Sequence, residues 1–181
     1  MPNFCSYDLK AVSKNKESLE RLLKIMNYKD PEYFVRRCFQ ACGDGGVYED
    51  GDYYVIDIFG NVAWSCNSWF EHEEHTSQVS DKDGMDPHGS GDDYLGPAHY
   101  VTLDILCERL DIGIECWGQE LGCCFQEYYL VNHKGEVVCN DCMEYTEIWE
   151  DWNGEKLEEP EKVGGFEEYC EFSFPEEIYG E

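Results

Sequence analysis

The order of the hydrophobic segments is the sequence feature that most constrains the fold. Residues 4–12 (FCSYDLKAV) roughly alternate between apolar and polar side chains, which predicts a strand. The segment NKESLERLLKIM then places leucines at helical spacing behind Asn15, a residue type that caps helix N-termini. The chain is therefore predicted to begin with a strand and an amphipathic helix.

Strand-like and helix-like segments continue to alternate along the rest of the chain. Gly and Asn residues predict turns between strand-like segments, and apolar residues at helical spacing predict the helices. The predicted elements are a short helix at residues 30–42 capped by Asp30, a hairpin at 53–70 turning at Gly60–Asn61, a helix at 97–111, a strand at 112–120, and a hairpin turning at Lys134–Gly135.

This order predicts an α+β fold. When the short helix and the last strands are set aside, the pattern is β-α-β-β-α-β, that of a ferredoxin-like split βαβ sandwich with helices on one face of an antiparallel sheet. Residues 1–149 are predicted to form this domain. It includes an acidic loop insertion at 71–96, and an acidic C-terminal extension at 150–181 packs on the domain or trails from it.

Two stretches resemble a known family. The opening MPNFCSYDL and residues 96–137 (GPAHYVTLDILCERLDIGIECWGQELGCCFQEYYLVNHKGEV) are similar to the YubB-like proteins of plasmids and phages, and NVAWSCNSWF matches more loosely. The resemblance covers about half of the chain and excludes the loop 71–96 and the tail after Trp149. It implies a mobile genetic element and a ferredoxin-like domain, and it implies no reaction.

The charge is extreme and unevenly distributed. The net charge is −27, and residues 1–42 hold eight bases and five acids whereas residues 43–181 hold five bases and 35 acids. Direct binding to nucleic acid is therefore disfavoured, except weakly through the basic N-terminal part, and binding to anionic membranes is disfavoured too. We expect a cytoplasmic protein, because the sequence shows neither a signal-like opening nor a membrane-length apolar run.

Residues 147–161 (EIWEDWNGEKLEEPE) combine dense negative charge with two large aromatic anchors. Carboxylates at strand or helix spacing repeat at intervals comparable to those of nucleic-acid phosphates, and tryptophans are typical of tight interfaces. The partner-binding residues predicted here and in the insertion are Glu144, Glu147, Trp149, Glu150, Asp151, Trp152, Glu155, Glu158, Glu159, Asp81, Asp83, Asp86, Asp92 and Asp93.

The first hypothesis is a phage- or plasmid-encoded inhibitor that uses acidic mimicry of nucleic acid. Its expected partner is a basic nucleic-acid-binding defence enzyme of the host, above all a CRISPR effector nuclease in the host cytosol. This hypothesis needs no catalytic residue and no cofactor. The basic N-terminal part leaves room either for weak nucleic-acid contact or for self-association with an acidic face, as a homodimer.

The second hypothesis is a small zinc- or partner-binding module without enzymatic activity. Cys139 and Cys142 form one CxxC pair, and Cys123 and Cys124 on the preceding arm of the hairpin supply the remaining ligands. The alternative for the eleven cysteines is that they are reduced, mostly buried thiols. A third hypothesis, an enzyme acting on a cationic substrate, has no identified catalytic group.

Overall fold

The computed structural model describes residues 4–76, 99–150 and 153–166. The strands are β1 (Phe4–Ser13), β2 (Tyr33–Phe34), β3 (Cys38–Asp50), β4 (Tyr53–Ala63), β5 (Glu74–Thr76), β6 (His99–Val101), β7 (Ile112–Glu120), β8 (Phe125–Val131), β9 (Val137–Glu150) and β10 (Lys156–Gly164). The helices are α1 (Lys16–Met26) and α2 (Leu103–Leu110), and a 3-10 turn spans Asn67–Trp69.

Seven strands form one sheet in the order β10-β9-β8-β7-β1-β4-β3, and every neighbouring pair in it is antiparallel. A smaller sheet has the order β2-β6-β5 and contains one parallel pair. An antiparallel sheet with two helices is an α+β fold, so this part of the prediction is confirmed.

Both helices pack on the same face of the large sheet. Alternate residues of β1 point to that face, where Tyr7 and Leu9 are buried. From the other side α1 contributes an apolar stripe that includes Leu19 and Leu22. The predicted cap of this helix is confirmed, because the side chain of Asn15 accepts the backbone N–H of the second helical residue at 3.1 Å.

The helix predicted at residues 30–42 is wrong. That segment holds β2 and the start of β3, and Asp30 begins a bend before β2 rather than capping a helix. Its carboxylate accepts the backbone N–H groups of Glu32 and Tyr33 at 3.0 Å and pairs with Arg21 at 2.8 Å. These bonds fix the backbone in a turn, and the aromatic residues that follow suit a strand.

The turn predicted at Gly60–Asn61 is also wrong, because both residues lie inside β4. The hairpin between β3 and β4 turns at Gly51, whose φ is 61°. Gly60 serves a different purpose: a Cβ on it would lie 1.8 Å from the carbonyl oxygen of Gln40, where the pairing of β3 with β4 is irregular. A glycine inside a strand here marks the close approach of another backbone.

The later elements agree better with the prediction. The strand at 112–120 is β7, and the hairpin at Lys134–Gly135 joins β8 to β9. The helix predicted at 97–111 is shorter, since 99–101 form β6. Residues 74–76 of the predicted insertion form β5, and 77–96 lie outside the described residues.

The chain continues the large sheet beyond residue 149. β9 runs to Glu150, and β10 pairs with it as the outermost strand. The domain division at 149/150 stays a prediction. Neither helix in the described ranges has the length and hydrophobicity needed to cross a membrane.

Candidate functional site

The predicted partner-binding acids that the structure describes lie on or beside β9 and β10, at one edge of the large sheet. Glu144, Glu147 and Glu150 all belong to β9. Because side chains alternate along a strand, Glu144 and Glu150 share one face and Glu147 lies on the other. The two that share a face are exposed and six residues apart, about 20 Å along the strand. Trp149 is 54% exposed and, by the same alternation, lies on the face of Glu147.

On β10 the register brings lysines opposite the acids of β9. Lys156 pairs with Glu150, and Lys162 pairs with Glu147. Glu155 and Glu158 are exposed, and only the backbone of Glu159 is described. We call Glu144, Glu147, Glu150, Glu155 and Glu158 the β9–β10 acidic edge. Asp151, Trp152, Asp81, Asp83, Asp86, Asp92 and Asp93 lie outside the described residues.

A second acidic surface, which the sequence analysis missed, lies at the opposite edge of the sheet on the β3–β4 hairpin. Between residues 43 and 57 the chain carries five acids and no lysine or arginine. Four of them are exposed, and the half-buried Asp57 accepts a hydrogen bond from the hydroxyl of Tyr48 at 2.9 Å. Burial and this carboxylate raise the pKa of Tyr48 to about 12. We call Asp44, Glu49, Asp50, Asp52 and Asp57 the β3–β4 acidic edge.

The four cysteines of the zinc hypothesis are not brought together. Cys139 and Cys142 are three residues apart on β9, so they point to opposite faces. Cys123 and Cys124 lie in the turn between β7 and β8, where the Cys124 carbonyl accepts the N–H of Tyr145 at 2.8 Å. Cys139 lies six residues before Tyr145 on β9, so it is about 20 Å along the strand from the turn that holds Cys123 and Cys124.

Three other ligand-type side chains do converge. Cys5 of β1, Cys66 and Glu127 of β8 are buried, and one ligand atom from each lies within 4.8 Å of the others. Each oxygen of the Glu127 carboxylate accepts hydrogen bonds. Oε1 accepts from Ser65 Oγ at 2.5 Å and from the Tyr129 hydroxyl at 3.1 Å. Oε2 accepts from the backbone N–H of Cys66 at 2.8 Å and from Cys5 Sγ at 3.9 Å.

A glycine in β7, Gly118, leaves space in the sheet for the side chains of Cys5, Cys66 and Glu127. Gly118 of β7 pairs with Glu127 in the register. A Cβ on Gly118 would lie 3.0 Å from Cys66 Sγ, 3.1 Å from Glu127 Oε2 and 3.2 Å from Cys5 Sγ. Cys116, two residues earlier on the same face, interacts through its thiol with that of Cys66. We call Cys5, Cys66, Cys116 and Glu127 the thiol–glutamate cluster.

The surroundings of the cluster keep its thiols neutral. The hydrogen bond with Cys66, followed by burial, raises the pKa of Cys5 well above its ordinary value. Burial likewise raises the pKa values of Cys66 and Cys116, and that of the Tyr129 hydroxyl beside Glu127. At neutral pH and without a bound cation, the thiols and the phenol are therefore protonated and able to donate hydrogen bonds.

No family model, curated protein or solved structure matches the chain. The resemblance to the YubB-like proteins therefore stays a prediction, and the site has to be interpreted from its own geometry.

Two arrangements stand out in the part of the chain that the structure describes: two acidic edges on one sheet, and the buried thiol–glutamate cluster between them.

Proposed function

We propose that the protein is an inhibitor encoded by a phage or plasmid, and that it blocks a host defence enzyme that binds nucleic acid. The target class we propose is a CRISPR effector nuclease, whose basic channel holds the guide–target duplex. The observation that carries the proposal is the pair of acidic edges at the two ends of one seven-stranded sheet. Under this proposal the protein acts in the host cytosol, by occupancy and without catalysis.

We also propose that the body carrying these edges is ferredoxin-like. Along the chain, α1 connects β1 to β3, and in the sheet β4 lies between those two strands. Likewise α2 lies in the connection from β4 to β7, and in the sheet β1 lies between those two strands. This β-α-β-β-α-β connection, with the spatial order β7-β1-β4-β3, supports a split βαβ core. Strands β8 to β10 and the small sheet are then additions, and β3 and β10 become the free edges.

The inhibition would be electrostatic and steric. Glu144 and Glu150 lie about 20 Å apart along β9 and Glu147 lies between them on the other face, so the edge presents spaced carboxylates that lysines and arginines of a nucleic-acid channel can meet. Glu144 and Glu150 are exposed on one face of β9, and the exposed indole of Trp149 on the opposite face adds apolar area for a partner that contacts both faces of the edge. Target DNA would then be excluded from the cationic residues that these carboxylates occupy.

The test is competition with DNA for a guide-loaded CRISPR effector nuclease. Fluorescence anisotropy of a labelled target duplex reports its displacement by the protein at low and at physiological salt. We expect displacement that weakens steeply with salt, because contacts between exposed charges are screened over about 8 Å.

A matched pair of charge variants locates the contact. Glu144→Lys with Glu150→Lys changes the β9–β10 acidic edge, and Glu20→Lys with Glu108→Lys makes the same change in net charge on exposed positions of the two helices. We expect the first variant to lose roughly tenfold or more in affinity, since each reversal replaces an attraction with a repulsion. Equal losses in both variants would show only a general charge effect and contradict the proposed surface.

A further inference from the structure

We propose that Cys5, Cys66 and Glu127 bind a thiophilic divalent cation of the zinc class. This inference does not depend on the proposed inhibitor function. The three residues come from β1, from the segment before the 3-10 turn and from β8, so a bound cation would tie that segment to two strands of the sheet.

The spacing of the three ligand atoms suits such a cation. Zinc lies about 2.3 Å from thiolate sulfur and about 2.0–2.2 Å from carboxylate oxygen, so tetrahedral ligands are separated by about 3.5–3.8 Å. The distance from Cys5 Sγ to Glu127 Oε2 is 3.9 Å, and all three ligand atoms lie within 4.8 Å of one another. Small rotations of the side chains would close the remaining gap. Cys116, whose thiol interacts with that of Cys66, lies outside this group of three ligand atoms.

The carboxylate is already oriented as a ligand. Ser65 and Tyr129 both donate to Oε1 of Glu127, and Oε2, which accepts the backbone N–H of Cys66, is the oxygen directed at the thiols. Outer hydrogen bonds of this kind fix ligating carboxylates in metal sites. On binding, the cation would replace the Cys5 thiol hydrogen bond to Oε2, and the displaced thiol protons would pass to solvent.

Gly118 supplies the second requirement, which is space. Any side chain at this position would place its Cβ within 3.2 Å of both sulfur atoms and of Oε2. The glycine therefore keeps open the region where the three ligand atoms meet.

The experiment begins with the unmodified full chain. The mass of protein purified from zinc-supplemented cells is measured by native mass spectrometry, and its bound metal is determined. The metal is then removed with a chelator, and the metal-free protein is titrated with Co²⁺. We expect one cation per chain and a thiolate-to-cobalt charge-transfer band. A chain that carries no zinc and gives no such band with Co²⁺ would overturn the proposal without any variant having to fold.

Variants then identify the ligands. Cys5→Ser and Glu127→Gln are expected to weaken Co²⁺ binding at least tenfold, with circular dichroism confirming that each variant is folded. Two controls remove thiols other than the three ligands: Cys107→Ser changes another buried thiol, and the double variant Cys139→Ser/Cys142→Ser removes the CxxC pair of β9, of which Cys142 pairs with Glu127 in the register. Both controls should bind Co²⁺ as the unmodified chain does. Metal binding that survives Cys5→Ser but is lost in the CxxC variant would assign the cation to β9 and refute the site.

Discussion

Glu127 is expected to stabilise the fold even without a cation, and Glu127→Ala measures that contribution. The substitution removes the acceptor from two buried donors, the backbone N–H of Cys66 and the hydroxyl of Tyr129. Leaving a buried donor unsatisfied costs about 1–3 kcal/mol each, so the free energy of unfolding should fall by about 2–6 kcal/mol. Because domains of this size are stable by only about 5–15 kcal/mol, the variant should be strongly destabilised or unfolded.

The assay is urea unfolding in the presence of chelator, so that no cation contributes. Tryptophan fluorescence is a suitable signal because Trp69, in the 3-10 turn beside the cluster, is fully buried against Tyr7. Glu144→Ala is the matched control: this glutamate is exposed on the neighbouring strand, and its removal should change stability by no more than about 0.5 kcal/mol. A loss below about 1 kcal/mol for Glu127→Ala would refute the view that its carboxylate satisfies these donors.

Two further predictions concern the fold. Gly60→Ala should lower the free energy of unfolding by more than about 3 kcal/mol in thermal or urea unfolding, because the added Cβ would overlap the Gln40 carbonyl. The control Gly43→Ala should lower it far less, because its Cβ meets only the flexible ends of side chains. Burial of Asp30 opposes its ionisation, but its hydrogen bonds with Arg21 and with two backbone N–H groups prevail and hold its pKa below the ordinary 3.8. Its ionised form therefore stabilises the fold above pH 3.8, and Asp30→Asn should lower the free energy of urea unfolding at pH 7 by about 2–3 kcal/mol. This difference between the variant and the unmodified chain should disappear as the pH falls below 3.8. A difference that stays the same at low pH would contradict the ion-pair explanation.

Local signals in the sequence predicted the elements whose formation is local. The first helix follows from its leucine spacing and from Asn15, and the β8–β9 hairpin follows from Lys134–Gly135, because caps and tight turns depend on neighbouring residues. Gly60–Asn61 has the same local appearance as a turn. What decides its role is the carbonyl of Gln40, which only the pairing of β3 with β4 brings close.

The site was harder to predict for the same reason. Cys139 and Cys142 have the spacing of a metal site, but that spacing works in a turn, and on a strand it sends the two thiols to opposite faces. Cys5, Cys66 and Glu127 have no shared local motif. Cys5 and Glu127 meet because β1 and β8 flank β7 in the sheet, and the segment between β4 and the 3-10 turn brings Cys66 to them, so no pattern within one segment could reveal the three.

The buried cluster and the β9–β10 acidic edge are connected through a single strand. Glu127 pairs with Cys142 in the register, and Glu144 follows two residues later on the same face. An edge that imitates a polyanion must hold its carboxylates at fixed intervals, yet β9 and β10 are supported on one side only, by β8. Whatever anchors Glu127 therefore also anchors the strand against which the acidic edge is built. A cation at the cluster would stiffen the β9–β10 acidic edge without touching it, and the two proposals can still fail independently.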